Sequence, residues 1–250
     1  MSRKSSILLL FCLAGCAAQA PQAESKADGA VDQMAKSAAL AAEANRDFAS
    51  AAGNWNMLLQ RHPDDAGIVL ALARDLRYGG RFQQAIDTSA AFLDRHGQNP
   101  AMLAELGKDY LAASRFGPAE RTLRQAAAAA PQDWQVLSAL GVTLDYQGDH
   151  AQAQQTYRQA LEISHDNPTL LNNLALSQAQ AGQLSEALAT QRLACDQPSA
   201  TPQMRQNLAL VEALSGNPEM AERLSRQDLP PEMARANATY FKLLAGTLKP

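Results

Sequence analysis

Cysteine, histidine, aromatic residues and surplus positive charge are what this chain has least of. Its 250 residues include three cysteines, four histidines and 5% Phe, Tyr and Trp. No HExxH, no CxxC pair and no glycine-rich phosphate loop occurs, so the common zinc, dithiol and nucleotide sites are excluded. No serine sits in a nucleophile-elbow pattern, and the adjacent carboxylates Asp64 and Asp65 fall in a loop. Catalysis, a metal, a cofactor and a small-molecule substrate are therefore not expected. Lys and Arg number 22 against 25 Asp and Glu, a net charge of −3. That balance supplies no basic field for nucleic acid. The apolar run Ile7–Leu13 is about half of what crosses a bilayer.

What is present is a period. Alanine recurs every 34 residues at Ala51, Ala85, Ala119, Ala153, Ala187 and Ala221. Gly80, Ser114, Gly148, Gly182 and Gly216 share the interval, as do Leu72, Leu106, Leu140, Leu174 and Leu208. A small residue follows each of those leucines (Ala73, Gly107, Gly141, Ala175, Ala209). Within one unit Leu137, Leu140, Gly141 and Leu144 fall at i, i+3, i+4 and i+7, the stripe of a helix. Ala153, Tyr157 and Ala160 continue the pattern on a second helix, with Gly148 at the turn between them. Small residues at Gly141 and Ala153 let the paired helices approach closely.

A period of 34 with this layout resembles the tetratricopeptide repeat (TPR). The resemblance implies an all-α fold: a right-handed superhelical solenoid of about six helix-turn-helix units plus a C-terminal capping helix. Five clear units start near 66, 100, 134, 168 and 202. A degenerate sixth covers 32–65, where Phe48, Ala51 and Pro63 keep the register. The array is placed at 32–235 and the closing helix and tail at 236–250, with Pro230 and Pro231 leading in. His62, His96 and His165 recur near the inter-unit turn and read as helix-end residues, not ligands.

The N-terminus is a different segment. Arg3 and Lys4 precede Ile7–Leu13, and Leu13–Ala14–Gly15–Cys16 resembles a bacterial lipobox. This implies a signal peptide at 1–15, lipidation of Cys16 and attachment to a membrane through that lipid. The alternative is an ordinary signal peptide cut after Ala18 or Ala20. Residues 16–31 read as a flexible tether, reaching about 20 Å. Ala17, by likeness to enterobacterial lipoproteins, implies the periplasmic face of the outer membrane. Cys12 leaves with the signal peptide, so Cys195 stays alone, a small apolar residue without a disulfide partner.

The resemblance to TPR proteins implies a peptide-binding groove on the face built by each unit's first helix. The register places there Arg74, Arg77 and Tyr78, then Lys108, then Asp145 and Tyr146, then Asn172 and Asn173, then Gln203, Gln206 and Asn207. Asn173 and Asn207, 34 apart, are candidates to hold a bound peptide's backbone, since Asn donates and accepts at once. They are equally readable as a solvated face beside a core leucine. Arg74, Arg77 and Lys108 are candidates to meet a carboxylate, or are ordinary solvated charges.

The runs Asn172–Leu176, Ala181–Ala187 and Arg205–Val211, with Asp228–Leu229–Pro230–Pro231–Glu232 and then Asn237 and Tyr240, resemble the TadD-like lipoproteins of tight-adherence (Flp pilus) secretion systems. That resemblance implies a scaffold whose partner is a pilus secretin or another pilus-assembly component. Two alternatives stay open: a pilotin-type TPR lipoprotein of a type IV pilus secretin, and a TPR lipoprotein regulating a periplasmic cell-wall enzyme.

Overall fold

An oxygen-bearing side chain opens seven of the helices. Asp47, Asp65, Asn99, Asp133, Asp149, Asn167 and Thr201 each accept a backbone N–H from the first turn, which satisfies donors a helix cannot pair internally. Proline occupies the start of several, at Pro100, Pro168, Pro202 and Pro218, where its missing N–H costs nothing. The computed structural model describes residues 20–247. They form α1 (Ala20–Ala44), α2 (Phe48–Arg61), α3 (Ala66–Tyr78), α4 (Phe82–His96), α5 (Pro100–Ala112), α6 (Phe116–Ala129) and α7 (Trp134–Tyr146). There follow α8 (His150–Ile163), α9 (Pro168–Gln180), α10 (Leu184–Cys195), α11 (Pro202–Leu214), α12 (Pro218–Ser225) and α13 (Pro231–Thr247). No strand occurs among the described residues.

The glycine series marks the turn inside each pair. Gly80, Gly148, Gly182 and Gly216 have φ of 74°, 81°, 78° and 90°, and Ser114 (57°) and Arg46 (57°) take the same left-handed backbone in their own units. In each, the next residue's N–H reaches back five residues, as from Arg81 to the Leu76 carbonyl and from Asp149 to the Leu144 carbonyl. This Schellman closure ends the first helix and aims the second back along it.

Helices pair in chain order, α1 with α2 through α11 with α12, and each second helix packs on the next unit's first. First helices also touch one another, α3 on α5, α5 on α7, α7 on α9 and α9 on α11, without comparable packing between successive second helices. One wall of the solenoid is therefore shorter than the other, and the first helices form it. All six alanines of the 34-residue series have no exposed surface, so they are the points where helices of a pair meet. The continuous core runs from Leu103 and Leu123 through Leu137, Leu140 and Tyr157 to Leu170 and Leu174. Helix α13 covers α11 and α12, burying Ala234 and Ala238.

The N-terminal boundary differs from the sequence reading. Helix α1 takes in residues 20–31, which composition assigned to a tether, and Asp28 and Asp32 of that helix form ion pairs with Arg61. Alanine-rich sequence suits a helix once one face has a partner, and Ala35 and Ala39 pack against Ala51, Ala52 and Trp55. The signal segment 1–15 and Cys16 lie outside the described residues. No helix among the described residues is long and apolar enough to cross a membrane.

Candidate functional site

The inner wall carries a depression of about 220 Å³ between α7 and α9. Val142, Asp145 and Tyr146 line it from α7, Asn173, Leu176 and Gln180 from α9, and Tyr157 stands behind. The spacings i, i+3, i+4 and i, i+3, i+7 put these side chains on one stripe of each helix, next to the core leucines. The surface is apolar at Val142 and Leu176 and bordered by amide and carboxylate groups.

Its parts differ in how firmly they are held. The Asp145 carboxylate accepts from Tyr157 Oη at 3.0 Å and Ser177 Oγ at 2.6 Å, and His150 Nδ1 lies 2.8 Å away. It is a fixed acidic floor, and burial together with the Asp145 charge pushes the Tyr157 hydroxyl up. Tyr146 is 66% exposed yet oriented, because its ring lies parallel to Phe116 with centroids 5.0 Å apart. Asn173 is loosely held: Nδ2 donates to Ser138 Oγ at 3.4 Å and Oδ1 accepts from Asn172 at 3.3 Å. Bonds of that length are weak, so an incoming peptide amide can replace them at little cost.

The other polar residues expected in the groove are engaged with the fold. Asn172 Oδ1 accepts from Asn207 Nδ2 at 2.8 Å and from Gln191 Nε2 at 3.0 Å, tying α9, α10 and α11 together. Asn207 accepts in turn from Gln203. Gln206 donates to Asp228 at 3.4 Å, the carboxylate that Arg205 also grips. Asn173 and Asn207, matched in sequence, are thus unequal: the first lines the depression and the second is a helix tie.

The basic trio also separates. Arg74 pairs with Glu43 at 2.9 Å. Arg77 is largely enclosed and pairs with Glu105 at 2.7 Å and Asp109 at 3.0 Å, while Ser89 donates to Asp109 at 2.9 Å. Burial, with Glu105 adding to it, pushes the Asp109 carboxyl up to about 7 against the pull of Ser89 and Arg77. Lys108 is half-buried and has no ion pair among the described residues. Two of the three cations are therefore already paired with carboxylates of the fold, Arg77 inside the wall and Arg74 at its surface. The sequence carried a signal for this, since Asp75 and Asp109 are 34 apart where Thr143 and Ser177 stand in later units. That position is interior in all four, and acids there need internal cations.

A second hollow, of about 500 Å³, lies where α1, α2 and α3 meet, lined among others by Lys36, Leu40, Trp55, Ile68 and Arg74. Periodicity did not reveal it, because α1 has no leucine stripe. Beside it the Trp55 indole donates to Glu43 at 2.9 Å. The neighbouring Asp75 is buried with no hydrogen-bond partner on either oxygen, and burial followed by the Glu43 charge pushes it up to about 6. Among the described residues no group of three His, Cys, Asp or Glu side chains is placed to hold a metal.

Residues 146–182, which span the second half of this site, match the family model described as TPR repeat. The fold is a tetratricopeptide-repeat solenoid. Solved structures agree on that fold. The TPR protein TTC0263 of Thermus thermophilus is similar with a TM-score of 0.64 and 21% identity, over 72% of this chain and 98% of its own. A TPR protein from Parabacteroides merdae gives 0.65 and 14%, over 88% and 94%. Pseudomonas aeruginosa pilF gives 0.67 and 15%, over 86% and 98%. No curated protein matches the sequence. TPR arrays are in general scaffolds that bind other proteins, and the inner wall of this array has the geometry for that.

Proposed function

We propose that this protein is a lipid-anchored scaffold at the periplasmic face of the bacterial outer membrane, and that its TPR inner wall captures an extended segment of a pilus-assembly component, the secretin or a partner lipoprotein. The observation that carries the reading is the depression at Tyr146 and Asn173, where an oriented aromatic ring and a loosely bonded amide flank the apolar surface of Val142 and Leu176 above the Asp145 carboxylate. An extended backbone needs a donor and acceptor in reach and an apolar seat for alternate side chains. The anchor rests on Leu13–Cys16, and the tight-adherence assignment on the closing sequence from Asp228 to Glu232. A pilotin-type lipoprotein of a type IV pilus is the second reading, favoured by the likeness to pilF over most of both chains.

The test is surface piliation, with recovery of the secretin on the tagged protein, in cells carrying Tyr146→Ala with Asn173→Ala at normal protein level. Loss of both readouts is expected. Wild-type piliation and secretin recovery would remove the inner wall from the mechanism. In parallel, Cys16→Ser is expected to abolish palmitate labelling and release the protein from the outer-membrane fraction. Adjacent secretin, prepilin and secretion ATPase genes of the tight-adherence type would separate the two pilus readings.

A further inference from the structure

The edge of the solenoid where first helices end and second helices begin carries a feature the fold does not need. Arg81 and Arg115 stand at the N-cap positions of α4 and α6 and make no capping bond. At the same position Asp47 and Asp149 do cap, while Gln183 and Asn217 do not, so what sets Arg81 and Arg115 apart is their charge. Arginine there is a poor choice for stability, because it leaves helix N–H groups unsatisfied and sets a cation at the positive end of the helix. Each of these arginines is followed by an aromatic first residue, Phe82 and Phe116, and Phe48 opens α2 in the same way. Arg46 sits in the turn before Phe48 with positive φ. Tyr78 and Tyr146 close α3 and α7 at this edge, Tyr78 tilted against Phe48 with centroids 5.2 Å apart and Tyr146 stacked on Phe116 at 5.0 Å.

Three consecutive turns thus carry an arginine and a phenylalanine, Arg81 and Arg115 in register and Arg46 one position earlier with the capping Asp47 beside it, and tyrosines lie beside the first and third. Tyr78 is 56%, Tyr146 66% and Phe82 37% exposed. None of Arg46, Arg81 and Arg115 has a carboxylate partner among the described residues; Arg115 donates only to Gln83. The pattern stops at the fourth turn, which has Asp149–His150, and the next two have Gln183–Leu184 and Asn217–Pro218. The arginine and aromatic side chains are thus confined to three turns of a chain with net charge −3.

We propose that this edge docks an acidic, aromatic-rich extended segment of a partner protein, on a surface that shares only Tyr146 with the inner-wall depression. Packed first helices lie about 8–10 Å apart, which an extended chain covers in about three residues. A segment with a carboxylate and an apolar side chain in each triplet therefore meets Arg46, Arg81 and Arg115 in turn, its apolar groups on the rings between them. Guanidinium groups take carboxylates bidentately and stack on aromatic faces. A protein segment fits better than a bilayer, since α1 enters from the opposite edge and only its Ala44 end reaches this one.

The probe is a fluorescein-labelled 12-residue peptide of four Glu-Phe-Ser triplets, titrated with the full chain by fluorescence polarisation at low and high salt. Binding that weakens with salt is expected, with a loss of about tenfold or more in Arg81→Glu with Arg115→Glu and a similar loss in Phe82→Ala. Arg81→Gln with Arg115→Gln should also lose affinity while melting no lower than the parent, since these arginines cap nothing. Asn173→Ala should bind the peptide as the parent does, which keeps this result separate from the fate of the inner wall. Several outcomes would overturn the proposal: no binding up to about 1 mM, unchanged affinity in the double variants, or loss of affinity in Asn173→Ala. So would arginine-dependent binding to phosphatidylglycerol vesicles without peptide binding, or an arginine-dependent dimer in sedimentation.

Discussion

The ring of Tyr157 occupies the place where a side chain on Gly141 would stand. A methyl group there would lie 2.5 Å from Tyr157 Cε1 and 2.7 Å from Cζ, well inside van der Waals contact. Tyr157 is fixed at its far end by the bond from its hydroxyl to Asp145, so it cannot swing away without leaving that carboxylate.

Gly141→Ala is therefore expected to destabilise the array. Overpacking of this kind costs about 1–3 kcal/mol, offset by up to about 1 kcal/mol from alanine's better helix propensity. Urea unfolding should show a lower midpoint for the variant. A higher midpoint would mean that α7 and α8 are farther apart than described.

Ser114→Gly is expected to act the other way. Ser114 holds φ of 57° in the turn where four other units use glycine, and a non-glycine residue pays roughly 1–2 kcal/mol for that backbone. Part of the gain is lost to glycine's greater freedom in the unfolded chain. A rise of about 0.5–1 kcal/mol in unfolding free energy is expected by thermal or urea melting, and a fall would contradict the left-handed turn.

How far such features can be read from sequence depends on whether they repeat. The helix-pair alanines recur in six units and the turn glycines and the leucine stripe in four or five, so several units vote on each position and the fold is legible. The site is written in exceptions. Arg77 meets Glu105 and Asp109 of the next unit; the 34-residue spacing of Asp75 and Asp109 hints that an internal cation is needed but does not say which one, and Asn207 turns toward Asn172 while its counterpart Asn173 does not. Helix α1 escaped the pattern because its contacts are made by alanines, which carry no phase. The arginines at 81 and 115 are visible in the sequence, but only the structure shows that they make no capping bond and no ion pair among the described residues.

Asp109 gives stability a pH dependence of unusual sign for a carboxylate. Its folded value is raised, to about 7 from 3.8, so the uncharged form is the one the fold prefers. The stability it contributes is fully present below about pH 4 and is lost as pH rises through 7. Asp75, pushed up to about 6, works in the same direction. Asp32 and Asp228, held below the usual carboxylate range by bonds to His62 and Arg205 respectively, lose their contribution only in acid below that window. Asp109→Asn keeps an oxygen that can accept from Arg77, with an amide N–H that can donate to the Ser89 hydroxyl, and is expected to lose less stability than the parent between about pH 5 and about pH 8. Urea unfolding of both proteins at the two pH values checks it, since the difference between them cancels every other titration. Parallel losses would mean that Asp109 is already ionised at the lower pH.

The two matched asparagines make the sharpest separation of fold from function. Asn207 donates a 2.8 Å bond to Asn172 and accepts one from Gln203, so Asn207→Ala should cost about 0.5–1.5 kcal/mol of stability. Asn173 makes only two long bonds and borders the depression, so Asn173→Ala should change stability by less than about 0.5 kcal/mol. For partner capture by the inner wall the order reverses: Asn173→Ala should weaken recovery of the bound component, and Asn207→Ala should leave it near normal once protein level is matched. Thermal melts and a quantitative pull-down on the same two variants read both scales. If Asn207→Ala melts like the parent and loses its partner, the tie between α9 and α11 is not structural and the binding surface extends beyond the α7–α9 depression to the C-terminal units.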